Sequence, residues 1–122
     1  MHALIIEQEA LIILMIEDVL RDAGFRSFDF AWTVQDAVAA ARRRCPDLIT
    51  SDVRLGAGTG IEAVQDICSN RPLPVVFVTA TAWEVRQRLT GAQIVQKPFS
   101  GGDLHQAVTR ALTAEPELVW HE

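Results

Sequence analysis

Cysteine is scarce: Cys45 and Cys68 are the only two in 122 residues. Two thiols make neither a disulfide framework nor a zinc set, so a reducing compartment, the cytosol, is expected. Long apolar runs are also missing. The longest, Ala10 to Ile16, stops at Glu17 and Asp18, well short of the roughly 18 residues a membrane helix requires, so no membrane partner is expected. No basic segment precedes an apolar stretch at the N-terminus, which argues against a signal peptide. Basic excess is absent too. The formal net charge is −5, and a general nucleic-acid binder would show a basic face. His2, His105 and His121 are scattered without metal-ligand spacing. Gly56, Gly58 and Gly60 lack the Gly-Lys-Ser/Thr ending of a phosphate-cradling loop. Neither repeats nor low-complexity segments occur. What remains is 49% hydrophobic and 22% charged, the composition of one ordinary globular domain able to bury a core without staples.

Short apolar runs alternate with longer amphipathic stretches. Ala3 to Ile6 reads as a strand and Glu9 to Ala23 as a helix closed by Gly24. Phe25 to Ala31 is a weaker strand. Thr33 is placed to cap a helix running to about Arg44, which must end before Pro46. Asp47 to Ser51 is a third strand and Ile61 to Cys68 a third helix. Pro74 to Thr79 is rich in β-branched residues and reads as a fourth strand. Trp83 to Leu89 forms a short helix, Gln93 to Gln96 a fifth strand. Ser100 and Asp103 resemble a capping box opening a last helix to about Leu112. The fold class is therefore α/β: five β-α units in a doubly wound parallel sheet. Residues 1–113 form the domain, and 114–122 read as a tail without clear pattern.

In such sheets function sits beyond the C-terminal strand ends. There stand Glu7, Gln8 and Glu9 after the first strand, Asp52 after the third, Thr79 at the end of the fourth, and Lys97-Pro98 after the fifth. Carboxylates with one hydroxyl and one lysine suit chemistry on an anionic phosphoryl group. Aspartate can act as nucleophile, and an oxygen-bound divalent cation and the lysine can neutralise phosphoryl charge.

Leu4-Ile5-Ile6-Glu7-Gln8-Glu9, Asp47 to Leu55 with Gly60 after it, Pro74 to Ala80, and Lys97-Pro98-Phe99 occur in order at suitable spacing. Together they resemble the response-regulator receiver domain of two-component signalling. The resemblance implies a flavodoxin-like (βα)5 sheet of strand order 2-1-3-4-5. It implies Asp52 as phosphoacceptor, supplied by a sensor histidine kinase or histidine phosphotransfer protein, with Thr79 contacting the phosphoryl group and Lys97 pairing with it. Mg²⁺ would be held by Glu7, Gln8, Asp52 and the Arg54 backbone carbonyl. A cis Lys97-Pro98 bond is also implied, and Arg54 and Thr81 would tune phosphoryl lifetime. Self-catalysed phosphotransfer and autodephosphorylation would be its only chemistry. A downstream protein would take the signal, and a homodimer is among the arrangements the resemblance allows. No output domain is expected in a chain with only residues 114–122 after its last helix, and no basic helix offers itself to DNA.

Two positions depart from the family pattern. Gln8 stands where a second acidic residue is usual, and a neutral amide oxygen holds a hard cation less well than a carboxylate. Ile94 replaces an aromatic residue three positions before the lysine, so an aromatic in-or-out switch cannot operate there. These departures motivate an alternative: a degenerate receiver that acts as a phosphorylation-independent interaction module. The first helix carries Ile12, Met15, Ile16, Val19 and Ala23 on one face at helical spacing, with Leu11 and Leu14 outside it. Either the buried stripe is wide, or Leu14 belongs to an exposed patch for the phosphodonor. Trp32 is expected to pack in the core or the second loop. Trp83 is read as packing in the fourth helix or as a gate, and Trp120 as docking back onto the domain or onto a partner.

Overall fold

A computed structural model describes residues 1–122. The elements in chain order are β1 (His2–Ile6), α1 (Ala10–Asp22), β2 (Ser27–Ala31), α2 (Val34–Arg43), β3 (Leu48–Ser51), α3 (Gly60–Ile67), β4 (Val75–Thr79), α4 (Ala82–Arg88), β5 (Leu89–Thr90), β6 (Gln93–Gln96), α5 (Gly101–Thr113) and β7 (Val119–Trp120). The five longer strands form one parallel sheet in the order β2-β1-β3-β4-β6. This is the expected 2-1-3-4-5 order, because the two-residue β5 lies outside that sheet. The strands are apolar runs because both faces are covered. Alternation sends Leu4, Ile6, Ile49, Val75 and Phe77 into a core beneath α2, α3 and α4. Ala3, Ile5, Leu48, Val76 and Val78 enter a second core with Ile16, Leu20, Leu104 and Val108 from α1 and α5. Truncating a fully buried member such as Leu4 to alanine would cost about 2–5 kcal/mol.

Local signals set the helix ends. The Thr33 hydroxyl accepts from the Asp36 N–H at 3.0 Å. At α5 both halves of the capping box form, Ser100 Oγ with the Asp103 N–H at 3.1 Å and Asp103 Oδ2 with the Ser100 N–H at 3.0 Å. Gly24, at φ +101°, turns the chain out of α1. His2 is buried and ties β1 to its neighbour, with its ring 2.8 Å from Ser27 Oγ and 2.9 Å from Asp29 Oδ2.

Several expectations change. Residues 114–122 are not a patternless tail: β7 pairs antiparallel with β5, and Leu118 and Trp120 pack against the core beneath α2–α4. Trp32 is exposed rather than packed, and Trp83 is too exposed to be a packing residue of α4. On α1, Ile16 and Leu20 are buried, whereas Leu11, Leu14 and also Met15 face solvent. Met15 lies at the edge of the helical stripe, about 100° from Ile16, so the neighbouring helix does not cover it. No helix is long and apolar enough to cross a membrane.

Candidate functional site

The parallel register brings the predicted rim residues together. Ile6 stands opposite Ser51, Ser51 opposite Phe77, and Thr79 opposite Gln96. The residues that follow these strands therefore converge at one edge. The ladder continues one step further: the Glu7 N–H donates to the Ala31 carbonyl, the Asp52 N–H to the Ile6 carbonyl, and the Lys97 N–H to the Thr79 carbonyl, at 2.8–2.9 Å. These bonds fix where each side chain starts.

Lys97 closes the site. Its Nζ lies 3.1 Å from Glu7 Oε1 and 3.1 Å from Asp52 Oδ2. It is the only lysine in the chain. The side chains of Glu7, Asp52 and Lys97 are 1%, 9% and 14% exposed. Glu7 Oε2 also accepts from the Gln8 and Glu9 N–H groups, and Asp52 Oδ1 from the Val53 N–H at 2.7 Å. The triad carries a formal charge of −1. Burial, supported by the Asp52 charge, raises the Glu7 carboxyl above 4.5, against the opposing pull of the Glu9 N–H and Lys97. For Lys97 burial is the largest single influence and lowers its affinity for a proton. The charges and hydrogen bonds of Glu7 and Asp52 together outweigh it, so its pKa rises above 10.5. The lysine stays cationic at neutral pH.

Gly60 shapes the wall opposite. A Cβ there would come within 1.7 Å of the Asp52 carbonyl oxygen and 2.2 Å of Ser51 Oγ. Only glycine lets the start of α3 approach the acceptor backbone this closely. The Gly60 N–H then donates to the Val53 carbonyl at 2.9 Å.

The remaining predicted residues are less tightly joined. Thr79 is buried at the sheet edge. Its hydroxyl accepts from the Thr81 N–H at 3.1 Å and shares a 3.2 Å bond with Thr81 Oγ1. Its direct partner is thus Thr81 rather than Asp52. Gln8 is exposed and lies over the β3–α3 loop near Gly56 rather than within the hydrogen-bonded triad. Arg54 forms a backbone bridge with Thr59, and its guanidinium pairs with Glu84 on α4. The Lys97-Pro98 bond is cis. Cys68 is buried, and burial pushes its thiol up, which leaves it a poor nucleophile. Two contributors escaped the sequence reading. Gln96 accepts from the Ala82 N–H and donates to the Ala80 carbonyl, holding the segment after Thr79 against β6. Glu84 reaches the acceptor loop across 30 residues of sequence. Neither leaves a local pattern to detect.

The arrangement presents a carboxylate oxygen of Asp52 at a rim beside a fixed cation and a hydroxyl. The oxygen donors available to a divalent cation at this rim are the Glu7 and Asp52 carboxylates, with the Arg54 carbonyl and the outward-lying Gln8 amide as candidates. This all-oxygen set fits Mg²⁺ with only two carboxylates, and no three His, Cys, Asp or Glu side chains gather as a metal cluster.

The sequence matches the response regulator receiver domain family over residues 3–109. It is 36% identical over 121 residues to the transcriptional regulatory protein PdtaR of Mycobacterium tuberculosis (strain ATCC 25618 / H37Rv), covering 96% of this chain and 59% of that protein. The chain thus spans little more than half of that relative's length. The solution structure of the Erythrobacter litoralis PhyR response regulator REC domain superposes with a TM-score of 0.81 at 32% identity, covering 91% of this chain and 88% of that one. The receiver domain of sensor histidine kinase PA1611 from Pseudomonas aeruginosa PAO1, solved with magnesium coordinated in its active site cleft, gives 0.78 at 25% identity, covering 93% and 98%.

Proposed function

The chain belongs to the response regulator receiver family, and from that premise we propose that it accepts a phosphoryl group on Asp52 from a phosphohistidine donor and signals by protein contact. The observation that carries this reading is the Lys97 ammonium bridging Asp52 and Glu7 at 3.1 Å each, inside a rim that excludes most water. In the transfer an Asp52 carboxylate oxygen attacks phosphorus, the P–N bond to the donor imidazole breaks, and that nitrogen leaves with the bonding pair. An acyl phosphate and a free histidine result.

Each residue has a task in this scheme. The Val53 N–H holds one Asp52 oxygen and so orients the other. Lys97 neutralises charge on the transferred group, a preorganised contribution because its position is already fixed. Thr79 exchanges its bond with Thr81 for one to a phosphoryl oxygen. Glu7, Asp52, Gln8 and the Arg54 carbonyl would hold Mg²⁺, which supplies further charge neutralisation when bound. The magnesium seen in the PA1611 receiver domain supports that assignment. With an amide in place of one carboxylate, Mg²⁺ affinity falls.

The donor is a sensor histidine kinase or histidine phosphotransfer protein. Leu11, Leu14 and Met15 form an exposed apolar surface at the start of α1, just beyond Glu7. That surface suits the apolar face of a helical donor. The signal passes to a downstream protein. A second reading, a phosphate-independent interaction module, is favoured by the outward position of Gln8 alone.

The test is intact mass after incubation with acetyl phosphate and Mg²⁺. One phosphate adduct, absent from a folded Asp52→Ala variant, supports the acceptor. Unmodified protein at high Mg²⁺ favours the interaction module.

A further inference from the structure

We propose that the Arg54–Glu84 ion pair is a latch that phosphorylation opens, freeing the first turn of α4 while the other end of that helix stays tied down. This rests on the reading of Asp52 as the phosphoacceptor.

The two ends of α4 are held in different ways. At the C-terminal end, β7 pairs with β5 through Leu89–Trp120 and Thr90–Val119. The His121 N–H donates to the Arg88 carbonyl at 2.8 Å. The His121 ring lies 3.1 Å from the Gln87 carbonyl and 2.7 Å from Thr90 Oγ1. Gly91, at φ +107°, lets residues 117–121 lie flush, since a Cβ there would come within 1.8 Å of the Glu117 carbonyl oxygen. Trp120 adds packing against the core. This strap rests on backbone bonds, the His121 ring bonds and apolar contact, none of them made with Glu7, Asp52, Thr79 or Lys97.

The N-terminal end lacks such anchoring. Thr81, at the cap position, makes no side-chain cap bond, because its hydroxyl is turned to Thr79. Beyond the packing of Ala82 and Val85 and the Glu84 N–H on the Thr81 carbonyl at 3.0 Å, the first turn is tied to the rest of the fold by the Ala82 N–H on Gln96 at 3.2 Å and by Glu84 on Arg54. The Arg54 side chain is 68% exposed, so the pair is weak, as suits a contact that must break.

Arg54 is two residues beyond Asp52, and its backbone is fixed by the bridge to Thr59. Its guanidinium therefore swings from an anchored base. An aspartyl phosphate replaces the single negative charge of Asp52 by close to two, spread over three acceptor oxygens at the rim. A guanidinium fork matches such a group better than a single carboxylate. Drawn to the phosphoryl group, Arg54 leaves Glu84, whose side chain is only 19% exposed. A partly buried carboxylate that has lost its cation turns toward water. The first turn then moves outward, and Trp83, the preceding residue, moves with it.

The experiment uses the full chain labelled with 5-fluorotryptophan, so that Trp32, Trp83 and Trp120 each give one ¹⁹F resonance, assigned by single Trp→Phe variants. Acetyl phosphate and Mg²⁺ are added, and intact mass is followed in parallel. The expected result is movement of the Trp83 resonance in step with the adduct, while Trp120 stays in place. Glu84→Gln without phosphodonor should shift Trp83 toward the phosphorylated position, with a melting temperature close to wild type. An adduct with an unmoved Trp83, or a folded Glu84→Gln protein with wild-type Trp83, overturns the latch alone. Absence of any adduct in the mass spectrum overturns the acceptor reading and the latch with it.

Discussion

Replacing Lys97 by methionine keeps an unbranched side chain, one atom shorter, and removes the one cation between two buried carboxylates. Glu7 and Asp52 are then left 1% and 9% exposed without a counter-charge. Breaking a buried ion pair by deleting one partner costs about 3–5 kcal/mol. The lower end applies here, because Glu7 keeps two backbone N–H donors, Asp52 keeps one, and Glu7 can take up a proton. A loss of about 3 kcal/mol corresponds to a fall in Tm of about 10 °C for a domain of this size. The deficit should depend on pH. The Glu7 carboxyl is already raised by burial, and losing Lys97 raises it further. Stability from a group whose pKa is raised on folding is present below its unfolded value, here 4.5, and is lost as pH rises through the folded value. The Lys97→Met deficit should therefore shrink on acidification from pH 7.5 toward 4.5. In wild type the Lys97 contribution is complete below 10.5 and disappears as pH rises through its own raised pKa, so the two proteins should converge in strong alkali. Thermal melts by circular dichroism across that range measure this directly, and millimolar Mg²⁺ should restore part of the loss. A variant as stable as wild type at pH 7.5, or one with a deficit constant between pH 5 and 8, would refute the buried triad.

Three further outcomes follow from the geometry. Gly60→Ala should lower stability by about 1–3 kcal/mol, and it should abolish adduct formation, because its Cβ meets backbone that cannot yield. Denaturant melts and intact mass check the two effects separately. Leu14→Asp should change stability by less than about 0.5 kcal/mol, the side chain being 60% exposed. It should slow transfer from a phosphohistidine protein while leaving reaction with acetyl phosphate unchanged; equal slowing from both donors would place its effect in the site instead. Trp120→Ala should cost about 2 kcal/mol, below the usual value for a wholly buried tryptophan, since the residue is half-buried. Hydrogen exchange should then rise at Leu89 and Thr90; unchanged protection there would show that the strap does not hold α4.

The strands, the helix caps and the rim were legible because each rests on a local pattern. Apolar runs such as Val75 to Thr79 identify strands covered on both faces, and Thr33 and Ser100 announce the helices they cap. The convergence of Glu7, Asp52 and Lys97 was legible because a parallel sheet collects its strand ends on one side. The strap was not. Two-residue strands have no periodicity, and Val119–Trp120 becomes a strand only through pairing with Leu89–Thr90 about thirty residues earlier. Trp32 was misplaced because its large apolar body suggests burial, while its actual exposure depends on where β2 ends. The Gln96 and Glu84 contacts likewise exist only once the chain has folded, since nothing near either residue in sequence marks its partner.

The most direct test of the account is chemical trapping of the modified residue. Borohydride reduces an aspartyl phosphate to homoserine, so the treated protein can be digested and mapped by tandem mass spectrometry after incubation with acetyl phosphate and Mg²⁺. Homoserine is expected at position 52, with a yield that falls sharply in Lys97→Met. Homoserine at another aspartate such as Asp47, or no conversion in protein shown to be folded, would contradict it.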